Sequence, residues 1–402
     1  WTQDNFGEDL LLNERNGRIY YWDKTNGVNT RAKFLTDSSL GLGTRTSVPT
    51  IATQVLLSDR DRHVIAFGAD GLGATSSATD GDGIQDPLLI RFSSQENPVD
   101  WYPTSISTAG DLRISSGSKI IQAVETRQQI LVFTDVSIHA MQFLGPPFTF
   151  GINLISENIT ISSPKSAVAV DDAVFWMGSA EFYEFNGAVQ RIPCTVRDYV
   201  FNDINTSQSD KIVAGANVSF SEVWWFYPSS NSNENNRYVV YNYLEKIWFI
   251  GNLSRTAWLD RGISSLPLAA GDNNFLYNQE VGAQDDGSAM TSFIESGDMS
   301  ITDGNQFSFI NRVIPDINFR ETVDTSSLDF ILDTKNFPGQ VDQSSSTNTV
   351  SKTSSTPVDQ YTNQYFTRLR GRSFTLKIQS TDANVLWRLG VPRVDIRPDG
   401  RR

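Results

Sequence analysis

Six aromatic-ended segments recur along the first two thirds of this chain, and no other feature of the sequence restricts its fold as strongly. They occupy residues 18–23, 88–92, 138–143, 181–187, 237–242 and 274–278. Four are preceded, across a polar turn, by another apolar run, at 64–67, 130–133, 174–177 and 223–227. From Trp22 to Tyr277 the anchors are spaced on average about 51 residues apart, close to one four-stranded blade with its loops. The near-continuous apolar runs suit strands buried on both faces between neighbouring blades. A series of sandwiches would also be all-β, but it would not repeat at this period. The reading is therefore an all-β chain built on a β-propeller of about six blades. The widest interval holds a Gly-, Ser-, Thr- and Asp-rich stretch, an inserted acidic loop at about 68–86.

After Gly304 the pattern changes. Longer strands are expected at 306–320 and 327–336, then a Ser/Thr-rich loop at 344–356, then strands at 365–379 and 385–397. Residues 372–378 alternate polar and apolar with period two, as in a half-buried antiparallel strand. The expected domains are thus a propeller over 1–303 and a small antiparallel β-sandwich-like C-terminal unit over 304–402. Composition agrees, with aromatics at 11% and charged residues at only 20%. No stretch approaches the ~20 apolar residues that cross a bilayer, and no membrane anchor is expected.

The chain carries 46 acidic and 33 basic residues, a net charge of −13, which disfavours a protein-wide attraction for nucleic acid or anionic lipid. The balance is uneven. Residues 365–402 hold nine basic and three acidic side chains. Arg368, Arg370 and Arg372 alternate along one strand, which places them on one face as a candidate subunit interface.

Catalytic constellations are sparse. The lone Cys194 can form neither an internal disulfide nor a thiolate metal site, and it reads as a small buried hydrophobe. His63 and His139 sit in or beside apolar strands and read as structural. Glu181 and Glu184 lie three apart on one strand, so they face opposite ways and cannot act as a glycosidase pair. Asp80, Asp82 and Asp86 alternate with glycines like the start of a calcium loop, but the closing bidentate Glu is missing, so a solvated acidic turn is the better reading. The residues therefore predict no enzyme, no cofactor and no resident metal.

The opening 1–11, the segment 181–187 and the ending 387–402 resemble the tail nozzle and tail-stabilisation proteins of short-tailed bacteriophages. That resemblance implies a structural virion protein of the phage tail, a homohexameric ring at its distal end. The ring would join an adaptor or gatekeeper protein, with tail fibres as further neighbours, and continue the DNA-ejection channel. Genomic DNA would pass without specific binding, because an acidic lining repels phosphates. The alternative is a peripheral receptor-binding or polysaccharide-active propeller of the tail.

Overall fold

A computed structural model describes residues 1–300, 304–320, 326–337 and 352–401, and it is all-β. The chain forms two compact units, Trp1–Glu280 and Val281–Arg402. The division falls before the short strands Gln284–Asp285, Ser288–Ala289 and Ser292–Glu295, not at 303/304 as the sequence pattern suggested. Ser292–Glu295 pairs with Ser373–Ser380, so hydrogen bonding assigns it to the second unit.

The first unit is a propeller of six successive antiparallel sheets. Five blades have four strands and the sixth has three, each built from consecutive stretches of chain. The six aromatic anchors all fall on the third strand of a blade: Ile19–Trp22, Leu89–Phe92, Ser137–Gly145, Phe182–Phe185, Arg237–Asn242 and Leu276–Asn278. Four apolar cores lie between consecutive blades, from one and two through to four and five. This is why a second strand such as Val64–Phe67 is buried at every position and reads as an uninterrupted apolar run.

The first strands, Thr2–Phe6, Gln54–Leu57, Ile120–Glu125, Ala167–Val170, Val213–Asn217 and Ala257–Leu259, lie side by side in chain order. Side chains join their backbones. Gln54 donates to the Ala123 carbonyl at 2.7 Å and accepts from the Ala123 N–H at 2.8 Å. Gln122 does the same with Ala167, at 2.8 and 3.1 Å. Between blades one and two, the Asp4 carboxylate accepts from Leu57 N–H at 2.7 Å. Blades four and five meet directly, with Ala214 N–H donating to the Lys165 carbonyl at 2.7 Å, and the Trp258 indole of blade six donates to the Ala216 carbonyl at 2.7 Å. The register is parallel, Thr2 facing Val55 and Asp4 facing Leu57. The C-terminal ends of the first strands therefore open on one mouth of the wheel. Arg15 reaches from blade one to the Ile121 carbonyl of blade three at 3.0 Å.

The 68–86 loop is ordered around a buried pair. Asp70 and Arg91 are both inaccessible to solvent, 4.0 Å apart. Asp70 accepts from the backbone and hydroxyl of Thr50 and from Gly83 N–H. Arg91 donates to the carbonyls of Ser47, Asp70 and Gly71. The pair is tolerable in the interior because these bonds replace lost water. Burial nevertheless lowers the Arg91 pKa to about 10, with Asp70 opposing that shift.

The second unit is a small antiparallel sandwich. Leu328–Lys335 alternates strictly between buried and half-buried positions, and Tyr365–Gly371 alternates buried with more exposed ones. Their inward side chains form one core with Ile310, Val313, Phe374 and Ile378. Three runs that read as single long strands are each two. Ser308–Ile314 and Ile317–Arg320 are separated at Pro315, Leu386–Leu389 and Arg393–Pro398 at Gly390 to Pro392, and Tyr365–Gly371 and Ser373–Ser380 at Arg372. Each break moves the chain to another sheet, the corner that lets short strands wrap one core. The expected 344–356 loop is strand from Lys352, within Lys352–Val358, and its remainder lies outside the described residues.

Eight of the nine tryptophans lie in the first unit, so their fluorescence follows the propeller. Gln54→Ala strands a buried N–H and carbonyl of Ala123, at about 1–3 kcal/mol for each unpaired group. We expect it to destabilise that unit by roughly 2–4 kcal/mol in urea melts followed by fluorescence. A change below about 0.5 kcal/mol would show that the amide clamps do not hold the blades together.

Candidate functional site

The mouth at the C-terminal ends of the first strands gathers carboxylates from three blades. Blade one contributes Asp4, the turn after the first strand of blade two contributes Asp59 and Asp61, and Glu125 ends the first strand of blade three. Glu125 is half-buried, and its carboxylate accepts from the Asp59 N–H at 3.1 Å. Its pKa is pushed up to about 7, chiefly by burial, with the negative charges of Asp59, Asp4 and Asp61 adding to the shift. Burial also raises Asp4, against two backbone hydrogen bonds that favour its charged form. Asp61 is raised by burial, with Arg60 opposing. Glu125 thus keeps its proton toward neutrality beside acidic side chains from two other blades, a setting suited to acid–base chemistry. A second raised pair, Glu222 and Glu280, belongs to blades five and six; burial is the main cause for both.

The structure disperses the residues that the sequence singled out. Asp82 accepts from Gly71 N–H and Ile84 N–H, at 2.8 and 2.9 Å. Asp86 is bound by Arg113 at 2.6 Å and by Leu88 N–H. Asp80 forms an isolated bridge with Val48. Among the described residues no three such ligands converge on a metal position. Arg370 binds Asp399 at 2.5 Å and lies over the Phe307 ring, where Arg372 also stacks, so both serve their own unit. Arg368 is exposed on the outer face of Tyr365–Gly371. Glu181 pairs with Arg197 and Arg191. Both histidines are buried. Desolvation lowers His63 to about 4, and it faces the Thr108 hydroxyl at 3.1 Å. Cys194 is partly buried, and burial pushes its thiol up to about 11.

No family model and no curated protein matches the chain. Among solved structures it is similar to an exo-beta-1,3-galactanase from Phanerochaete chrysosporium, crystallised with galactose. That similarity has 10% identity and a TM-score of 0.27, and covers 98% of this chain and 95% of that one. A second, described as a glycoside hydrolase, has 10% identity and a TM-score of 0.26, covering 86% of this chain and 98% of that one. The expectation that the chain is not an enzyme is withdrawn, because carboxyl groups of three blades meet at one mouth, an arrangement the sequence did not show. For paired carboxyl chemistry the sequence offered only Glu181 and Glu184, which are close along the chain. The fold assembles Asp4, Asp59, Asp61 and Glu125 from separate blades, and no spacing motif marks them.

Because Glu125 binds its proton more tightly when folded, its stabilising contribution is complete below about pH 4.5 and is lost as pH rises to about 7. Glu125→Gln stays neutral throughout and its amide oxygen can still accept from Asp59. Thermal melts from pH 4 to 8.5 should show the variant gaining on the parent across that window and holding a constant advantage above it. Parallel curves would mean that Glu125 titrates as an ordinary carboxylate.

Proposed function

We propose that this propeller acts on polysaccharide at a bacterial surface as part of a phage tail, with Glu125 as the proton donor to a glycosidic oxygen. The observation that carries the chemistry is the pKa of about 7 at Glu125, set beside Asp4, Asp59 and Asp61 at one mouth of the wheel. Glycoside hydrolysis needs two carboxyl groups in opposite protonation states across the bond. Glu125 suits the acid role. The exposed Asp59, whose N–H binds Glu125, suits the partner that activates water or attacks the sugar. The placement in a tail is supported by the resemblance of the chain's opening and ending segments to short-tailed phage proteins.

A second reading is the structural one, a distal nozzle ring that joins an adaptor and lets genomic DNA pass. The same mouth favours it in a different way. Asp171 and Asp172, both paired with Arg127, follow the first strand of blade four and extend the mouth, whose acids outnumber its bases and would repel the phosphates of a passing duplex.

Purified protein incubated with host capsule, lipopolysaccharide and peptidoglycan separates the two. On the first reading reducing ends accumulate, and Glu125→Gln or Asp59→Asn lowers the rate by about a hundredfold or more. No release by the parent, or turnover indifferent to both substitutions, overturns it. An axial ring of this chain at the tail tip in electron micrographs of virions would then support the nozzle.

A further inference from the structure

Two strand edges of the propeller, on blades three and six, carry little protection. The outer strand of blade three, Thr149–Glu157, has nine residues where the other outer strands have two to five. It and the strand it pairs with form the longest hairpin of the propeller, and the only charged residue in that hairpin is Glu157, at its last position. Phe148 is 75% exposed at its tip and Leu154 is 49% exposed along the edge. Edges are normally blunted by charge or proline. Blades one, two and four do so, with Lys33, with Asp111 and Arg113, and with Arg191 on their outer strands. Blade five has a five-residue outer strand immediately preceded by Glu245 and Lys246.

Blade six shows the complementary deficit. It stops at three strands, so Leu276–Asn278 is hydrogen-bonded to Leu268–Ala270 and, among the described residues, no fourth strand pairs with its outer side. Residues 273–279 carry no charge, and Leu276 is 77% exposed. Blade three lies between blades two and four, and blade six follows blade five, so the two are not neighbours. A surplus edge and a missing strand placed that way cannot satisfy each other within one molecule. Two copies can, each presenting blade three to blade six of the next.

We propose that the chain self-associates head to tail by strand addition, the Thr149–Glu157 edge of one copy supplying the fourth strand of blade six in its neighbour. Backbone hydrogen bonds between the edges give the register, and the apolar side chains Leu154 and Leu276 are buried at the joint. The contact is heterologous, using different surfaces on the two copies, so it propagates until it closes a ring or runs on as a chain. It does not depend on any activity of the mouth carboxylates.

Sedimentation across a concentration series tests this. The parent should form species larger than dimers. Leu154→Lys spoils the donor edge and Leu276→Lys the acceptor, both at exposed positions, and each alone should weaken association at least tenfold. Mixing the two variants should restore a 1:1 dimer and nothing larger, because one intact donor and one intact acceptor remain. Circular dichroism melts check folding, and Leu154→Thr replaces the Lys variant if it melts early. A parent that stays monomeric at high concentration overturns the proposal. So does a response to Leu154→Lys with none to Leu276→Lys, which would mark like-with-like pairing, or flotation of monomers with phosphatidylcholine vesicles, which would give the apolar hairpin to lipid.

Discussion

The propeller depends on how its first strands share backbone hydrogen bonds across blade boundaries. A four-stranded sheet has two edges, and the inner edge of each blade lies against its neighbour's first strand, where its polar groups need partners. Gln54 and Gln122 solve this by presenting an amide that copies the peptide group, donating and accepting at once with the facing backbone. An apolar side chain there would fill space but leave two buried polar groups unpaired. Where blades four and five meet, backbone pairs with backbone directly. The apolar cores between blades then form on a frame whose spacing these bonds have set.

The same proximity creates the electrostatics of the mouth. Parallel first strands ending on one side bring their terminal residues together, and acids at several of those ends must share a partly desolvated space. Glu125 responds by holding its proton to about pH 7. Where a buried acid instead meets a guanidinium and several N–H donors, as Asp70 does, the charges are carried by direct bonds and organise a long loop. Two acidic regions of one sequence thus acquire different roles from the donors around them.

Legibility in the sequence was selective for physical reasons. The third strands were visible because aromatic side chains filling space between blades recur at the blade period, and all six anchors fall on them. Outer strands such as Lys33–Phe34 and Gly110–Arg113 are short and half polar, so they leave no apolar signal. In the second unit, alternation marked Leu328–Lys335 and the run around Phe374, while the corners at Pro315, Arg372 and Pro392 were merged into longer strands because the apolar pattern continues across them. Arg368, Arg370 and Arg372 were grouped by alternation alone, and the fold pairs Arg370 with Asp399.

By itself the sequence determined that the chain is all-β, repeats at the period of a propeller blade and changes architecture toward its C-terminus, because side-chain periodicity and burial are local properties of strands. Only the tertiary structure decided which carboxylates meet. Asp4, Asp59, Asp61 and Glu125 become neighbours through the parallel alignment of first strands from three blades, and charge interaction depends on distance in space, which separation along the chain does not encode. That blade six stops at three strands among the described residues was likewise decided in three dimensions, since strand pairing depends on which segments meet in space.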